Sequence, residues 1–438
     1  MKKQDNDRRK FLKNTALAAG AGLLAGPADA SARPHATAGS LDAMRFGAKG
    51  DGVADDTGAI QKALNEAGKA GGGIVTLPTG QYRINTNLVI PGGVTLQGAF
   101  RVPPCNRHDH HPQLHGSVLL AYAGRNKPDS PPFIRLAGNI ATLSGVIVNY
   151  PEWKQTDVPP IPYPPTVLSD EGFENVAVTD CCFLNTYEAI NLGNAPRHYI
   201  RNVYGYPHYR GIFVDNCTDI GRIENCHFWP FAVAFNPADP FCKWVNTHAV
   251  AFEFARTDWQ YVLNTFCFGY GVGYKFSESK AGACNGNFLG IGSDSCERDL
   301  LVEQAQPFGL LITNGEFVGR WSSTNAVCVE IGEKVNSKIS LNNCSFWGPI
   351  DRIVWQKGPD AQFTASACHF VDWNQSAIQA DAGKVIIQGS TFMQKKPAIV
   401  IGENVKSAII TSNQANGGLI VENHAGTRTQ MGFNEQPD

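Results

Sequence analysis

Asp215, Glu253 and Asp258 are three carboxylates in one stretch that also holds Arg256, Trp259 and Lys275. Glycoside cleavage needs a proton donor and a second carboxylate acting as base or nucleophile. The pair stands about 5 Å apart for retention and about 6.5–9.5 Å apart for inversion. Lys275 would hold a neighbouring Glu253 ionised, and Trp259 offers a ring on which a sugar can stack. Upstream, residues 197–210 gather Arg197, His198, Arg201, His208 and Arg210 among tyrosines. That mixture suits an acidic sugar or another carboxylate. The same residues fit a different reaction. A lyase takes the proton beside a uronic carboxylate with Lys, Arg, His or Tyr, and neutralises that carboxylate with cations or Ca²⁺. Lys275, Arg210, His208 and Tyr209 would serve. Residues 149–165, N-Y-P-E-W-K-Q-T-D-V-P-P-I-P-Y-P-P, form a stiff loop carrying Tyr150, Trp153 and Tyr163. It suits either a wall for sugar rings or a flap packed on the core. Residues 107–115, R-H-D-H-H-P-Q-L-H, match no standard metal spacing, and no metal site is assigned.

These residues must be positioned by a repeat. A small or turn residue, an aliphatic, any residue, an apolar and then usually a polar residue recur as A-I-N-L-G193, G-I-F-V-D215, A-V-A-F-N236, A-V-A-F-E253, G-V-G-Y-K275, D-L-L-V-E303, A-V-C-V-E330, R-I-V-W-Q356, A-I-Q-A-D381 and A-I-V-I-G402. Between them falls a marker aromatic: Phe183, Tyr204, Phe228, Trp244, Phe268, Phe288, Phe317, Phe346, Phe370 and Phe392. One strand per period of about 20–30 residues argues a solenoid. Stacking then makes columns. Ile212, Val233, Val250, Val272, Leu300 and Val327 are expected to face inward, with the marker rings and Cys181, Cys226, Cys344 and Cys368 in a second interior stack. The closing residues Asp215, Asn236, Glu253, Lys275, Glu303, Glu330, Gln356 and Asp381 are expected to point out. On this count Asp215 and Glu253 stand two rungs apart, about 9.6 Å. Glu303 and Glu330 stand one rung apart and form a second candidate pair, further from the long insertions. For any one member, a merely solvated outer face is the plain alternative.

The opening of the solenoid is also legible. Asp55, Asp56 and Thr57 are helix-capping types, Ile60, Ala63, Leu64 and Ala67 share one helical face, and Gly71–Gly73 end that helix. Short strands follow at Ile74–Leu77, Tyr82–Ile84, Leu88–Ile90 and Val94–Leu96. The runs F-G-A-K-G-D-G-V-A-D-D-T, G-G-G-I-V-T-L-P-T-G-Q-Y and P-G-G-V-T-L-Q-G resemble the N-terminal part of the pectate lyase superfamily, the rhamnogalacturonase- and epimerase-like proteins. The resemblance implies a single-stranded right-handed parallel β-helix with an N-terminal capping helix. It implies no mechanism, because that superfamily hosts hydrolases, lyases, epimerases and phage spikes. The N-T-D, G-H-G, R-I-K and R-x-P-x-x-R signatures of its better-known branches are missing, and the one D-D is Asp55-Asp56. No catalytic residue carries over.

The chain has 438 residues, 43% hydrophobic and 17% charged, enough to bury a large core. Asp7–Leu12, D-R-R-K-F-L, followed by a short apolar run and A-D-A-S-A, reads as a twin-arginine signal over residues 1–32. The mature part would carry 31 basic against 36 acidic residues, net −5. An exported acidic chain is not expected to bind nucleic acid, nor a membrane once the signal is removed. The cysteines show no C-x-x-C pair and no zinc spacing, and most read as small buried hydrophobes, with pairing left open. The sequence predicts a periplasmic or extracellular β-helix over residues 40–415 and a polar tail over 416–438. The leading function is polysaccharide hydrolysis by Asp215, Glu253 and Asp258 with Lys275. Trp153, Tyr163, His208, Arg210, Arg256 and Trp259 are the candidate substrate contacts. No cofactor is expected, apart from Ca²⁺ for a lyase. The alternatives are a lyase or epimerase on uronic residues, and a non-catalytic carbohydrate-binding protein. Nothing in the sequence sets the oligomeric state.

Overall fold

A computed structural model describes residues 39–103, 114–323 and 325–437. The signal segment and most of the histidine-rich stretch lie outside the described residues. The described chain winds as a parallel β-helix. Most strands pair with those three places before and after in sequence, so each full turn supplies three strands. The first face runs through Glu188–Leu192, Arg210–Val214, Val250–Phe254, Val272–Phe276, Arg298–Val302, Val327–Ile331 and Ile350–Gln356, all in parallel register. The second includes Thr257–Leu263, Cys284–Leu289 and Leu310–Thr313. The third includes Phe266–Phe268, Gly292–Cys296, Glu316–Gly319 and Ser345–Trp347.

The tight corner between the second and third faces needs one left-handed residue per turn. Asp180, Asn202, Asn225, Asn264, Gly290, Asn314 and Asn343 supply it, with φ between 51° and 63°. Short polar side chains tolerate that conformation by bonding locally. Here they also bond along the stack: Asn225 Nδ2 donates to Asn202 Oδ1 at 2.7 Å, and Asn343 Nδ2 to Asn314 Oδ1 at 2.8 Å. The interior is apolar. Phe317, Phe346, Phe370 and Phe392 stack face to face at 5.4, 5.1 and 4.9 Å.

The opening helix, α1 (Thr57–Lys69), buries Ile60, Ala63, Leu64 and Ala67 as expected. It also closes a sheet edge. Leu88–Pro91 lacks a partner strand on one side, and Gln61 takes that place. Its Oε1 accepts from Val89 N at 2.8 Å, and its Nε2 donates to Val89 O at 3.0 Å. A side-chain amide thus substitutes for a missing rung.

Four expectations change. A-V-A-F-N236 is not a rung: Arg210–Val214 pairs directly with Val250–Phe254, and residues 229–249 leave the coil to form a second helix, α2 (Pro240–His248). Trp244 lies on that helix, while Phe268 and Phe288 belong to different columns from Phe317. Val250, Val272 and Val327 stack with Arg210 and Arg298 on the strand entry, not with inward-facing Ile212 and Leu300. Gln356 faces the core, fully buried, in the column of Val302 and Ile331. The reason is common to all. A sequence signature keeps apolar–polar order but not hydrogen-bond register, and a slip of one residue reverses a side chain's facing. Residues 416–438 also do more than trail, since Val421–Asn423 and Thr429–Gly432 both pair with Ile399–Thr411.

Candidate functional site

The outer surface of the first face is an ion-pair ladder. One outward column reads Asn191, Phe213, Glu253, Lys275, Leu301, Glu330 and Trp355. Three residues earlier, on the strand entry, stand Glu188, Arg210 and Arg298. Arg210 bridges Glu188 at 2.8 Å and Glu253 at 3.2 Å, with its guanidinium 4.0 Å above the Phe213 ring. Lys275 continues to Glu253 at 3.6 Å and Glu303 at 3.3 Å. Burial works against the Arg210 charge, but Glu188 and Glu253 raise its pKa above the usual arginine value.

Asp215 lies just beyond its strand, level with Ala255 and Ser277 rather than with Glu253. Asn216 N, Arg256 N and Ser279 Oγ donate to its Oδ1 at 2.8, 3.0 and 2.7 Å. Ser277 Oγ donates to Glu253 Oε1 at 3.0 Å. Ser277 and Ser279 on the next turn therefore hold the two carboxylates. Asp215 and Glu253 sit on adjacent rungs, offset by two residues. Rung and residue spacing put their backbones about 8 Å apart, closer than the two-rung count gave.

Asp258 lies around the corner. Arg256 grips both its oxygens, at 2.5 and 3.0 Å, and Gln306 Nε2 donates to it at 2.9 Å. Trp259 adjoins it, 53% exposed and in the left-handed region. Three proposed contacts are elsewhere. His208 is buried in a cage of Trp153, Tyr206 and Phe241, with ring centroids 5.1, 6.3 and 4.8 Å away. Burial lowers its pKa to about 3, so it is neutral and shut off from solvent. Trp153 packs against Phe241 of α2, and Tyr163 is buried edge-on to Tyr150 at 4.7 Å. The proline-rich loop is a flap, pinned where Gln155 bonds both ways with Ala234. Glu330 is no partner for Glu303. It pairs with Arg298 and, at 2.5 Å, with Lys357, and despite burial these cations lower its pKa. Among the described residues no three His, Cys, Asp or Glu side chains meet as a metal site.

Glu188, Ser277, Ser279 and Gln306 escaped the sequence reading. Glu188 alone had a visible signal, since E-A-I-N-L aligns with R-G-I-F-V. The other three sit in turns, where no period marks them.

Residues 41–176 match the family model described as rhamnogalacturonase A/epimerase, pectate lyase-like. Over that stretch the chain is similar to pectate lyase-like proteins, and the described chain is a parallel β-helix. This β-helix is 51% identical over 61 residues to alginate lyase 7 of Azotobacter vinelandii, covering 12% of this chain and 7% of that protein. It therefore spans only a small part of the curated relative's length. Among solved structures, the N-terminal fragment of bacteriophage phi29 gene product 12 superposes with a TM-score of 0.60 at 13% identity, over 90% of this chain and 72% of that one. DFA-IIIase from Arthrobacter chlorophenolicus A6 gives 0.55 at 11% identity, over 77% and 86%. At such identities the likeness is one of fold.

Proposed function

We propose that this β-helix protein is a carbohydrate-active enzyme, a glycoside hydrolase that takes a polysaccharide along its first face. The observation that carries the reading is the Asp215–Glu253 pair. Their backbones stand about 8 Å apart, a placement from which the two side chains can hold a water between their carboxyl groups, as an inverting hydrolase requires. Glu253, flanked by Arg210 and Lys275, serves as the base. Asp215 is anchored through one oxygen. We assign Asp215, through its other oxygen, as the proton donor. Arg256, Asp258 and Trp259 border the same corner as substrate contacts. The likeness of fold to DFA-IIIase is consistent with work on sugars. We also infer export to the periplasm or beyond, from the twin arginines.

Elimination is the second reading. It is favoured by Lys275 and Arg210 on the same face and by the likeness of a 61-residue stretch to an alginate lyase. It loses His208, which is sealed in the core. A panel of neutral and acidic polysaccharides, followed by reducing ends and by the ultraviolet absorbance of a new C=C bond, tests both. Hydrolysis without absorbance is expected, and Asp215→Asn or Glu253→Gln should slow it about 10²–10⁴-fold, with Glu303→Gln near wild type. Absorbance rising with each new end would transfer the assignment to Lys275.

A further inference from the structure

The third face, away from the ladder, carries a groove of about 470 Å³, a volume in the range of small-molecule sites. Its floor is a notch at Gly292. A Cβ there would come within 3.1 Å of Glu316 O and 3.3 Å of Phe266 Cδ2, so only glycine leaves the notch open without displacing a neighbour. The strand register places Phe266 one turn before the notch and Glu316 one turn after it. Beside this runs a second outward column, Phe268, Asp294, Val318 and Trp347. Phe266 and Trp347, both lining the groove, stand three rungs apart, about 14 Å, so their rings bracket Asp294 and Glu316. Trp347 is 46% exposed, and its Nε1 donates to Ser345 Oγ at 3.2 Å, which fixes the ring. Asn264 and Asn314 of the corner stack supply amides at the rim.

We propose that this groove is a second carbohydrate site, taking a neutral oligosaccharide. Sugar rings present apolar C–H faces that stack on Trp347 and Phe266, and hydroxyls that donate to Asp294 and Glu316. No lysine, arginine or histidine lines the groove. A uronate would thus set its carboxylate against two others with no cation to offset the repulsion, and the groove discriminates by charge. Asp294 adds a supporting detail: burial raises its pKa, the environment in which a bound hydroxyl is a favoured partner. The site is distinct from the hydrolase reading and stands without it.

The test is titration of the mature protein with cellohexaose, maltohexaose, xylohexaose and laminarihexaose, against hexagalacturonate, by calorimetry and tryptophan fluorescence. At least one neutral hexasaccharide is expected to bind and hexagalacturonate to bind at least tenfold more weakly at this site. Trp347→Ala, a change at the surface, should weaken that neutral ligand at least tenfold, and Gly292→Val should do so by filling the notch. Glu253→Gln should leave it unchanged, which separates this site from the ladder. Absence of binding by all four neutral sugars overturns the proposal, as does binding that Trp347→Ala does not alter. Loss in Glu253→Gln would place the ligand on the first face instead.

Discussion

Asp299 shows how much a single buried group can impose. It lies on the first face but points inward, fully buried, where Ser293 Oγ donates to Oδ1 at 2.7 Å. Cys328 and Asp294 are its other titratable neighbours. Burial pushes its pKa up from 3.8 to about 7. The folded chain therefore keeps this proton to higher pH than the unfolded chain does. Its contribution to stability is complete below about pH 4 and is lost as the pH climbs to about 7. Melting temperature is expected to fall by a few degrees between pH 5 and pH 8 for the wild type. Asp299→Asn, which keeps an acceptor for Ser293, should flatten that slope and raise the melting point at pH 8. An unchanged slope in the variant would show that Asp299 is ionised throughout. His208 teaches the companion lesson. A histidine among tyrosines and arginines looked like a sugar contact, yet α2 and the proline-rich flap close over it.

At the scale of elements, the opening helix was readable because its signals are local: capping residues, a 3.6-residue apolar stripe and a glycine stop. Its edge-closing contact was not, because Gln61 meets Val89 across 28 residues. Gln61→Ala would leave the Val89 N–H and C=O of the first rung unpaired. The expected loss is about 1–3 kcal/mol of unfolding free energy, measured by denaturant titration, with exposed Lys62→Ala as a near-neutral control. An equal loss in both variants would mean the helix acts only through its apolar face. The excursion at 229–249 is the reverse case. A-V-A-F-N236 fits the strand signature, but Asp239 caps α2 by accepting from Phe241 N and Cys242 N at 2.9 and 3.2 Å. That cap, with Pro240 at the first helical position, was a legible sign that the coil pauses there.

For the whole molecule, a solenoid distributes its core along its length, so chemistry can sit on any outer face. The eleven described cysteines are all buried and free; the sequence marks most of them as small buried hydrophobes and leaves their pairing open. Free interior thiols suit a protein that folds before crossing a membrane. Export is testable in the same frame. Replacing Arg8 and Arg9 together by lysine should hold the full-length protein in the cytoplasm, read by fractionation and immunoblot. Unaltered release would assign export to another route.

The sequence by itself determined the parallel coil, the capping helix and the polar identity of the first face, because each follows from short-range order: capping types, apolar periodicity and one strand per repeat. It determined too that Glu253 and Lys275 share an outward column. Only the tertiary structure decided which rungs touch. Register is fixed by hydrogen bonds between residues 20–40 positions apart, and an excursion whose A-V-A-F-N236 run imitates a rung brings Asp215 beside Glu253. It alone also decided that Trp153, Tyr163 and His208 go under cover. Burial of a ring depends on what packs over it, here α2 and the flap, and no residue's type specifies its neighbours.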